Sequence, residues 1–315
     1  VAHPEQPATL TCHGSVKNQA GNGAEMWPSM LAQLGAPALN TLQTEPVPLG
    51  SEVISFAGAP LQGVAPSQLQ ALFAERDAQL ADLRATRDAA LDAMYRQVQA
   101  EGTRAQRAYL DRYAQSRTQA RALGEQLGAL LARLPLVPDD VDSPQDQVVA
   151  AVALARLRVA PVITLKLPFG GDNHNDADLS QEAAETTAGV GQIGQLWAEL
   201  AAAGLQDEVS FALLNVFGRQ LVRNAAGGRN HNNEHGVLVA FGAGLNGGIY
   251  GGVSLARGGL PIDPVTGEGR LDAPIAASET LEAAVKTVSR ALGHAPAVLD
   301  ERIQGGRVID AALAG

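Results

Sequence analysis

The stretch Val162-Ile-Thr-Leu-Lys-Leu-Pro-Phe-Gly-Gly-Asp-Asn-His174 decides the fold. Its first six residues form a short, mostly apolar run that leads into a Gly-Gly turn, which is typical of a buried strand. A second apolar run occupies residues 209–216. Between the two runs lies a helical pattern, residues 181–203, that ends at Gly204. The order strand, helix, strand predicts an α/β layer fold.

Further elements extend this α/β core in both directions. The pair Ser143-Pro144 predicts a helix that runs to about Arg158, because a capping serine before a proline favours the first helical turn. Residues 237–241 are predicted to form a third strand and residues 278–292 a helix that ends at a glycine. We therefore assign the α/β core domain to residues 135–315.

Two regions precede this core. Residues 1–66 are rich in Pro, Gly, Ser and Thr, so we predict an irregular segment that packs on the core, with one short helix around 26–34. Residues 67–134 carry apolar residues at helical spacing with a break around Gly102, which predicts a long antiparallel helical hairpin. Its charges alternate in sign, which favours either a solvated face or a surface for a protein partner or self-association.

Charge and composition restrict the function classes. The 315 residues include 23 Lys and Arg against 33 Asp and Glu, a formal net charge of −10. Nucleic-acid binding is not expected, because it rests on a basic surface. No apolar run approaches the roughly 20 residues of a membrane-spanning helix. The single Cys12 excludes an intrachain disulfide. The chain begins at Val1 and residues 1–20 lack a signal-peptide pattern, so we expect a processed or trimmed start.

Polar side chains cluster where the predicted strands end or begin. They lie in three loops, formed by Phe169-Gly-Gly-Asp-Asn-His174, Asn215-Val-Phe-Gly-Arg-Gln220 and Gly228-Arg-Asn-His-Asn-Asn-Glu-His-Gly236. Ligands of open α/β sheets bind beyond the carboxyl ends of strands. The third loop precedes its strand, so the three loops converge only if strand 237–241 runs antiparallel to the other two.

The residue types in these loops suit a metal ion. Imidazoles with a carboxylate favour zinc, and neighbouring amides can hold the ligands in place. We predict that Asp172, His174 and His231 ligate one divalent ion, with zinc favoured, and that His235 is a further candidate. The supporting candidates are Asn215, Arg219, Asn230 and Glu234. Histidine and asparagine are also common in surface loops for turn chemistry alone, and that alternative stays open here.

Two other sequence patterns give weaker indications of function. The glycine-rich segment 242–252 follows a strand, but it has neither a phosphate-loop lysine nor a following helix, so a tight packed turn is preferred over a nucleotide cradle. A carbohydrate-binding module would rest on only two tryptophans, Trp27 and Trp197.

Taken together, the three loops and the glycine-rich segment resemble the bacterial domain-of-unknown-function family 1501, which is similar to the alkaline phosphatase and sulfatase superfamily. The family pattern runs roughly Gly-Trp-Asp-Thr-His, Glu-Phe-Gly-Arg-Thr and Gly-Arg-Asp-His, followed by a glycine-rich turn with Tyr-Gly. The resemblance covers residues 143–255, and residues 1–140 more loosely. It implies a three-layer α/β/α sandwich. It also places Asp172 and His174 at the first metal pair and His231 and His235 at later histidine positions.

Two carboxylates of the family pattern are missing. Val216 stands where the family has Glu, and Asn230 stands where it has Asp. Glu234 replaces one of them only in part, because its register differs. Carboxylates normally balance the charge of catalytic divalent ions, so the site is expected to be degenerate.

The resemblance therefore implies an exported protein of the periplasm or the extracellular space. Its implied function is metal-dependent hydrolysis of phosphate or sulfate esters at an altered site. The alternative, of a different class, is a non-catalytic scaffold or assembly protein that retains the fold and binds partners through the hairpin.

Overall fold

A computed structural model describes residues 26–39, 41, 43–49, 54–57, 59–73, 81–111, 113–114, 143–167, 173–214, 218–232, 235–255 and 258–315. Its longer helices are α1 (Trp27–Leu39), α2 (Pro66–Phe73), α3 (Ala81–Glu101), α4 (Pro144–Leu157), α5 (Ser180–Ala202), α6 (Thr280–Ala291) and α7 (Pro296–Arg302). The short strands are β1 (Val47–Pro48), β2 (Ser55–Phe56), β3 (Ala59–Pro60), β4 (Ile163–Thr164), β5 (Phe211–Leu214), β6 (Gly218–Arg219), β7 (His231–Asn232), β8 (Leu238–Phe241), β9 (Val253–Ser254) and β10 (Gly258–Gly259). The protein is a mixed helix and sheet fold.

The helix predictions agree with the structure within a few residues. Ser143 caps α4, its hydroxyl accepting from the Asp146 N–H at 3.5 Å, and Pro144 occupies the first turn. The short helix expected around 26–34 is α1, and the helix expected at 278–292 is α6, preceded by one 3₁₀ turn. Helix α2 begins at Pro66, one residue before the predicted start of the 67–134 region.

The strands of the described ranges pair two by two. Strand β5 is antiparallel to β8, with Phe211 opposite Phe241, which confirms the predicted direction of the strand 237–241. Strand β4 is parallel to β1, a strand that the sequence did not predict because Val47-Pro48 lies in a segment read as irregular. The remaining pairs, β2–β3, β6–β7 and β9–β10, are antiparallel.

Helices α1 and α6 pack against the β5–β8 pair. Their cluster contains Trp27, Met30 and Val288, and Ala212 and Ala240 of the strands pack on it. The Trp27 indole N–H donates to the Ser289 hydroxyl at 3.0 Å, joining the two helices. This bond satisfies a buried polar group where an unpaired one would be costly.

Helices α4 and α5 pack against different residues of the same strands. Val148 and Val152 of α4 contact Leu196 and Leu200 of α5, and Phe211 packs on this cluster. The Trp197 ring of α5 meets the Phe241 ring edge to face, with centroids 4.7 Å apart. Neighbouring residues 211 and 212 thus join different clusters, as the alternation of side chains along a strand requires.

The described part of the 67–134 region contains a helical hairpin. Helix α3 ends at Glu101, and a second helical arm begins at residue 104. Thr103 and Gln106 form a reciprocal cap between them: the Thr103 N–H donates to Gln106 Oε1 at 2.9 Å, and the Gln106 N–H to Thr103 Oγ1 at 3.3 Å. The Tyr95 and Tyr113 rings, 5.5 Å apart, show that the two arms touch. Residues 74–80 and 115–134 of the predicted hairpin lie outside the described residues.

Helix α6 carries two ionisable residues into the interior. Glu282 is 6% exposed and Lys286 is 4% exposed. The Lys286 ammonium donates to the Asp300 carboxylate at 2.7 Å and to the Gly306 carbonyl at 3.2 Å. Desolvation raises the pKa of the Glu282 carboxyl, and the charge of Glu279 acts in the same direction. Ionised Glu282 therefore costs free energy in the folded chain.

Replacing Glu282 with glutamine is expected to remove a pH-dependent loss of stability. Because the folded-state pKa lies above the unfolded one, stability falls as pH rises from the unfolded value of about 4.3 through the folded value. The free energy of unfolding of Glu282→Gln, measured by urea titration, should therefore increase relative to that of the parent as the pH rises from 4 to 7. Glu301→Gln, an exposed position on α7, is the control. A difference between Glu282→Gln and parent that is constant with pH would contradict the assignment.

Candidate functional site

Two histidines from distant loops lie side by side. His174 follows the β4 loop and His231 is the first residue of β7, yet their ring centroids are 4.6 Å apart, with the rings tilted by 51°. Both side chains are half-buried. The predicted convergence of the first and third loops is confirmed for these two residues.

Arg219 joins the two histidines. It lies on β6 directly opposite His231 in the β6–β7 register. Its Nη1 atom is 3.5 Å from His174 Nδ1 and 3.4 Å from His174 Nε2, and it also donates to the Arg229 carbonyl at 3.3 Å. A guanidinium equidistant from both ring nitrogens places a fixed positive charge beside the imidazole pair. The second loop thus meets the other two, as predicted.

A tight turn holds the third loop against the first. The Asn224 side-chain amide donates to the His174 carbonyl at 3.0 Å and to Asn230 Oδ1 at 3.0 Å. Its own Oδ1 accepts from the Ala226 N–H at 2.9 Å, an Asx turn. Asn230 is exposed, so the structure places it on the rim of the cluster and bonds it to Asn224.

Two glycines permit this close approach of backbones. A Cβ added to Gly228 would lie 2.5 Å from the His174 carbonyl carbon and closer still to the carbonyl oxygens of Asn173 and His174. Gly227 has φ +86°, and a Cβ there would lie 2.9 Å from the Ala177 Cα. The Gly-Gly pair is thus required by the geometry that brings His174 to His231.

His235 lies beside β6. A Cβ added to Gly218 would lie 2.8 Å from His235 Cδ2 and 2.9 Å from Nε2, so the imidazole packs where a larger residue would have a side chain. The His235 Nδ1 atom is buried and makes no hydrogen bond within the described residues. All three predicted histidines therefore border the β6–β7 pair.

The carboxylates of the predicted site are not among the described residues. Asp172, Asn215, Val216 and Glu234 lie outside them, so the expectation that Asp172 joins the histidines stays a prediction. Within the part of the chain that the structure describes, no group of three His, Cys, Asp or Glu side chains is arranged to hold a metal ion.

Three residues that the sequence did not single out connect the loops to α5. Glu182, in the first turn of α5, accepts a hydrogen bond from the Asn173 side-chain amide, and its other oxygen lies 3.6 Å from Arg229 Nη1. The Arg229 N–H donates to the Asn173 carbonyl at 3.1 Å. The sequence signal was slight, because an acidic residue in a first helical turn is common for dipole reasons alone.

The less favoured patterns have structural explanations. The glycine-rich segment 242–252 is bonded to residue 312, where the Asn246 N–H donates to the Ala312 carbonyl at 2.9 Å, but residues 246–249 are exposed, so a tight packed turn describes only part of it. Trp27 is 5% exposed and belongs to the core, so it offers no sugar-stacking surface. Trp197 packs on Phe241.

The chain matches no protein-family model, no curated protein and no solved structure. None of the described helices is both long and apolar enough to cross a membrane.

Proposed function

We propose that this chain is an exported member of the alkaline phosphatase and sulfatase superfamily whose hydrolytic site has degenerated. The observation that carries the proposal is the contact between His174 and His231, whose rings are 4.6 Å apart although 57 residues separate them (231 − 174). Each occupies a metal-ligand position of the family pattern. Turn chemistry alone explains single loop histidines and does not require two imidazoles to meet.

The packing supports the corresponding fold. Helices α1 and α6 pack on one set of strand residues, whereas α4 and α5 pack on the alternate set. We propose that the β1–β4 and β5–β8 pairs belong to the central layer of a three-layer α/β/α sandwich. The histidine loops would then lie at the end of this layer where ligands of α/β proteins bind.

The charges favour one divalent ion at most. His174 and His231, with Asp172, would supply the nitrogen and oxygen donors that zinc prefers, and His235, whose imidazole packs beside Gly218 of β6, is the candidate fourth ligand. When bound, such an ion would polarise an ester oxygen or lower the pKa of a water molecule. Arg219 lies 3.4 Å from the His174 ring and opposes a second ion. Two ions would bring about four positive charges together, which is costly in a site with few carboxylates.

Arg219 also defines the ligand chemistry. A guanidinium matches the paired oxygens of phosphate and sulfate groups and remains charged at all relevant pH values. Its hydrogen bond to the Arg229 carbonyl and its contact with His174 hold it in place. We propose that Arg219 binds the oxyanion of a phosphate or sulfate ester next to the imidazole pair.

Metal analysis of the purified protein tests this function. Elemental mass spectrometry after exposure to zinc and gel filtration should find one zinc per chain and no second ion, and the double variant His174→Ala, His231→Ala should hold none. The double variant His3→Ala, His13→Ala is the matched control and should bind as the parent does. Absence of stoichiometric zinc from the parent, or zinc retained by the His174, His231 variant, would contradict the proposal.

A non-catalytic scaffold is the second candidate, favoured by one observation on the hairpin. Leu83, Met94 and Tyr109 are 72%, 60% and 59% exposed. Leu83 and Met94 are eleven residues apart (94 − 83) and share a helix face, so α3 leaves apolar surface uncovered among the described residues. Exposed apolar surface of this kind marks interaction sites when it is contiguous. A parent protein without zinc and without ester hydrolysis would favour the scaffold.

A further inference from the structure

We propose that Glu182 is a positioning residue that fixes the distance between His174 and His231. Only the zinc-affinity test of this proposal rests on the proposed function. Glu182 touches neither imidazole in the hydrogen bonds and ion pairs that the structure describes. It acts through Asn173 and Arg229, each of which precedes one of the two histidines in the chain.

The carboxylate joins the two loops by one oxygen each. Oε2 accepts from the Asn173 amide and Oε1 lies 3.6 Å from Arg229 Nη1. Asn173 is directly before His174, and Arg229 is two residues before His231. One side chain on a helix thus restrains both loops, which are 56 residues apart (229 − 173).

The arrangement is held on both sides of Glu182. Its own N–H donates to Asp176 Oδ2 at 2.8 Å, which fixes the start of α5 relative to the first loop. The Arg229 N–H donates to the Asn173 carbonyl at 3.1 Å, and the Arg229 carbonyl accepts from Arg219 Nη1. The contacts therefore run without a gap from Glu182 through Arg229 to Arg219, which faces His174.

Loss of the carboxylate would leave two groups poorly paired. Asn173 is 1% exposed, so its amide does not reach bulk water without a movement of its loop, whereas the Arg229 side chain is 29% exposed although its Nε is buried. A partly buried guanidinium without its anion is costly. Arg229 is expected to swing toward solvent and to draw the residues before His231 away from Asn173.

Nuclear magnetic resonance of the metal-free protein with labelled histidines measures the predicted separation. The parent should show a nuclear Overhauser cross-peak between the His174 and His231 rings, assigned with single His→Gln variants. Glu182→Ala should lose this cross-peak while retaining a cooperative thermal transition. A folded Glu182→Ala protein that keeps the cross-peak at parent intensity would overturn the proposal.

Two further variants sharpen the result. Glu185→Ala lies one turn along the same helix, where Glu185 accepts from Gln181 Nε2 at 2.9 Å, and it should keep the cross-peak. Equal loss in Glu185→Ala would overturn the specific role of Glu182. If Glu182→Ala does not fold, Glu182→Gln decides: it retains an oxygen for Asn173 but no charge for Arg229. Its cross-peak should weaken, and a cross-peak at full intensity would overturn the proposal.

Zinc affinity is the second measurement, and it depends on the proposed function. Residues that orient metal ligands typically change metal affinity about 10- to 100-fold when replaced. Titration against a chromophoric chelator should show such a decrease for Glu182→Ala and none for Glu185→Ala. Zinc binding by Glu182→Ala at parent strength would overturn the positioning role. A parent that binds no zinc would overturn the proposed function, whereas the cross-peak would still test Glu182.

Discussion

Replacing Gly228 with valine is expected to lower the free energy of unfolding by about 3 kcal/mol. A Cβ at this position would meet the backbone carbonyls of Asn173 and His174, which are not flexible side-chain ends and can yield only if the two loops separate. The Arg229 N–H, which donates to the Asn173 carbonyl, would lose its acceptor. Urea denaturation measures the stability, and hydrogen exchange at the Arg229 amide measures the loss of the local contact.

Gly236→Val is the matched control for Gly228→Val. Gly236 ends the same loop, but nothing is within 4 Å of a Cβ added there, so its valine variant should stay within about 0.5 kcal/mol of the parent. A Gly228→Val protein with parental stability and a protected Arg229 amide would show that the two loops do not pack as described. The result does not depend on any metal.

The parts of the fold that the sequence predicted are those with strong local patterns. Helix α4 was predicted because Ser143 and Pro144 mark its start, and strand β8 because a short apolar run lies between polar loops. The direction of β8 followed from requiring three loops to converge, and its pairing with β5 confirms it. Strand β1 was missed, since two residues carry no periodicity and its partner β4 is more than a hundred residues away.

The candidate site was likewise predicted only in part. His174, His231 and Arg219 were identified because each follows or precedes a predicted strand, and the structure brings them together. The roles of Glu182 and Arg229 were not predicted, because their ion pair joins a helix to a distant loop and depends on tertiary packing. Local sequence thus indicated the polar cluster, whereas its supporting contacts depend on how α5 is placed.

Charge is also what limits the proposed chemistry. The described part of the site holds the His174 and His231 imidazoles beside the guanidinium of Arg219, and the nearby Glu182 carboxylate is already paired with Arg229. A catalytic divalent ion requires anionic ligands to offset its charge. The unmodified protein is therefore expected to hydrolyse generic aryl phosphate and sulfate esters more slowly than about 1 per second, with zinc, manganese or magnesium added.

Introducing the two carboxylates that the resembled family pattern has at positions 216 and 230 should raise this rate. The double variant Val216→Glu, Asn230→Asp is expected to increase turnover about 10- to 100-fold, since it adds two anionic groups beside the predicted ligands. The change at 230 keeps a local hydrogen bond, because an aspartate oxygen can still accept from the Asn224 amide, which lies 3.0 Å from Asn230 Oδ1.

The pair Val222→Glu, Asn230→Asp is the control: it adds the same charge with the glutamate at an exposed valine, and it should not reproduce the increase. If the control pair gains equally, net charge rather than placement is responsible. If the unmodified chain already turns over these esters at 1 per second or faster, the substitutions Val216 and Asn230 are neutral to the chemistry and the degenerate-site hypothesis is wrong.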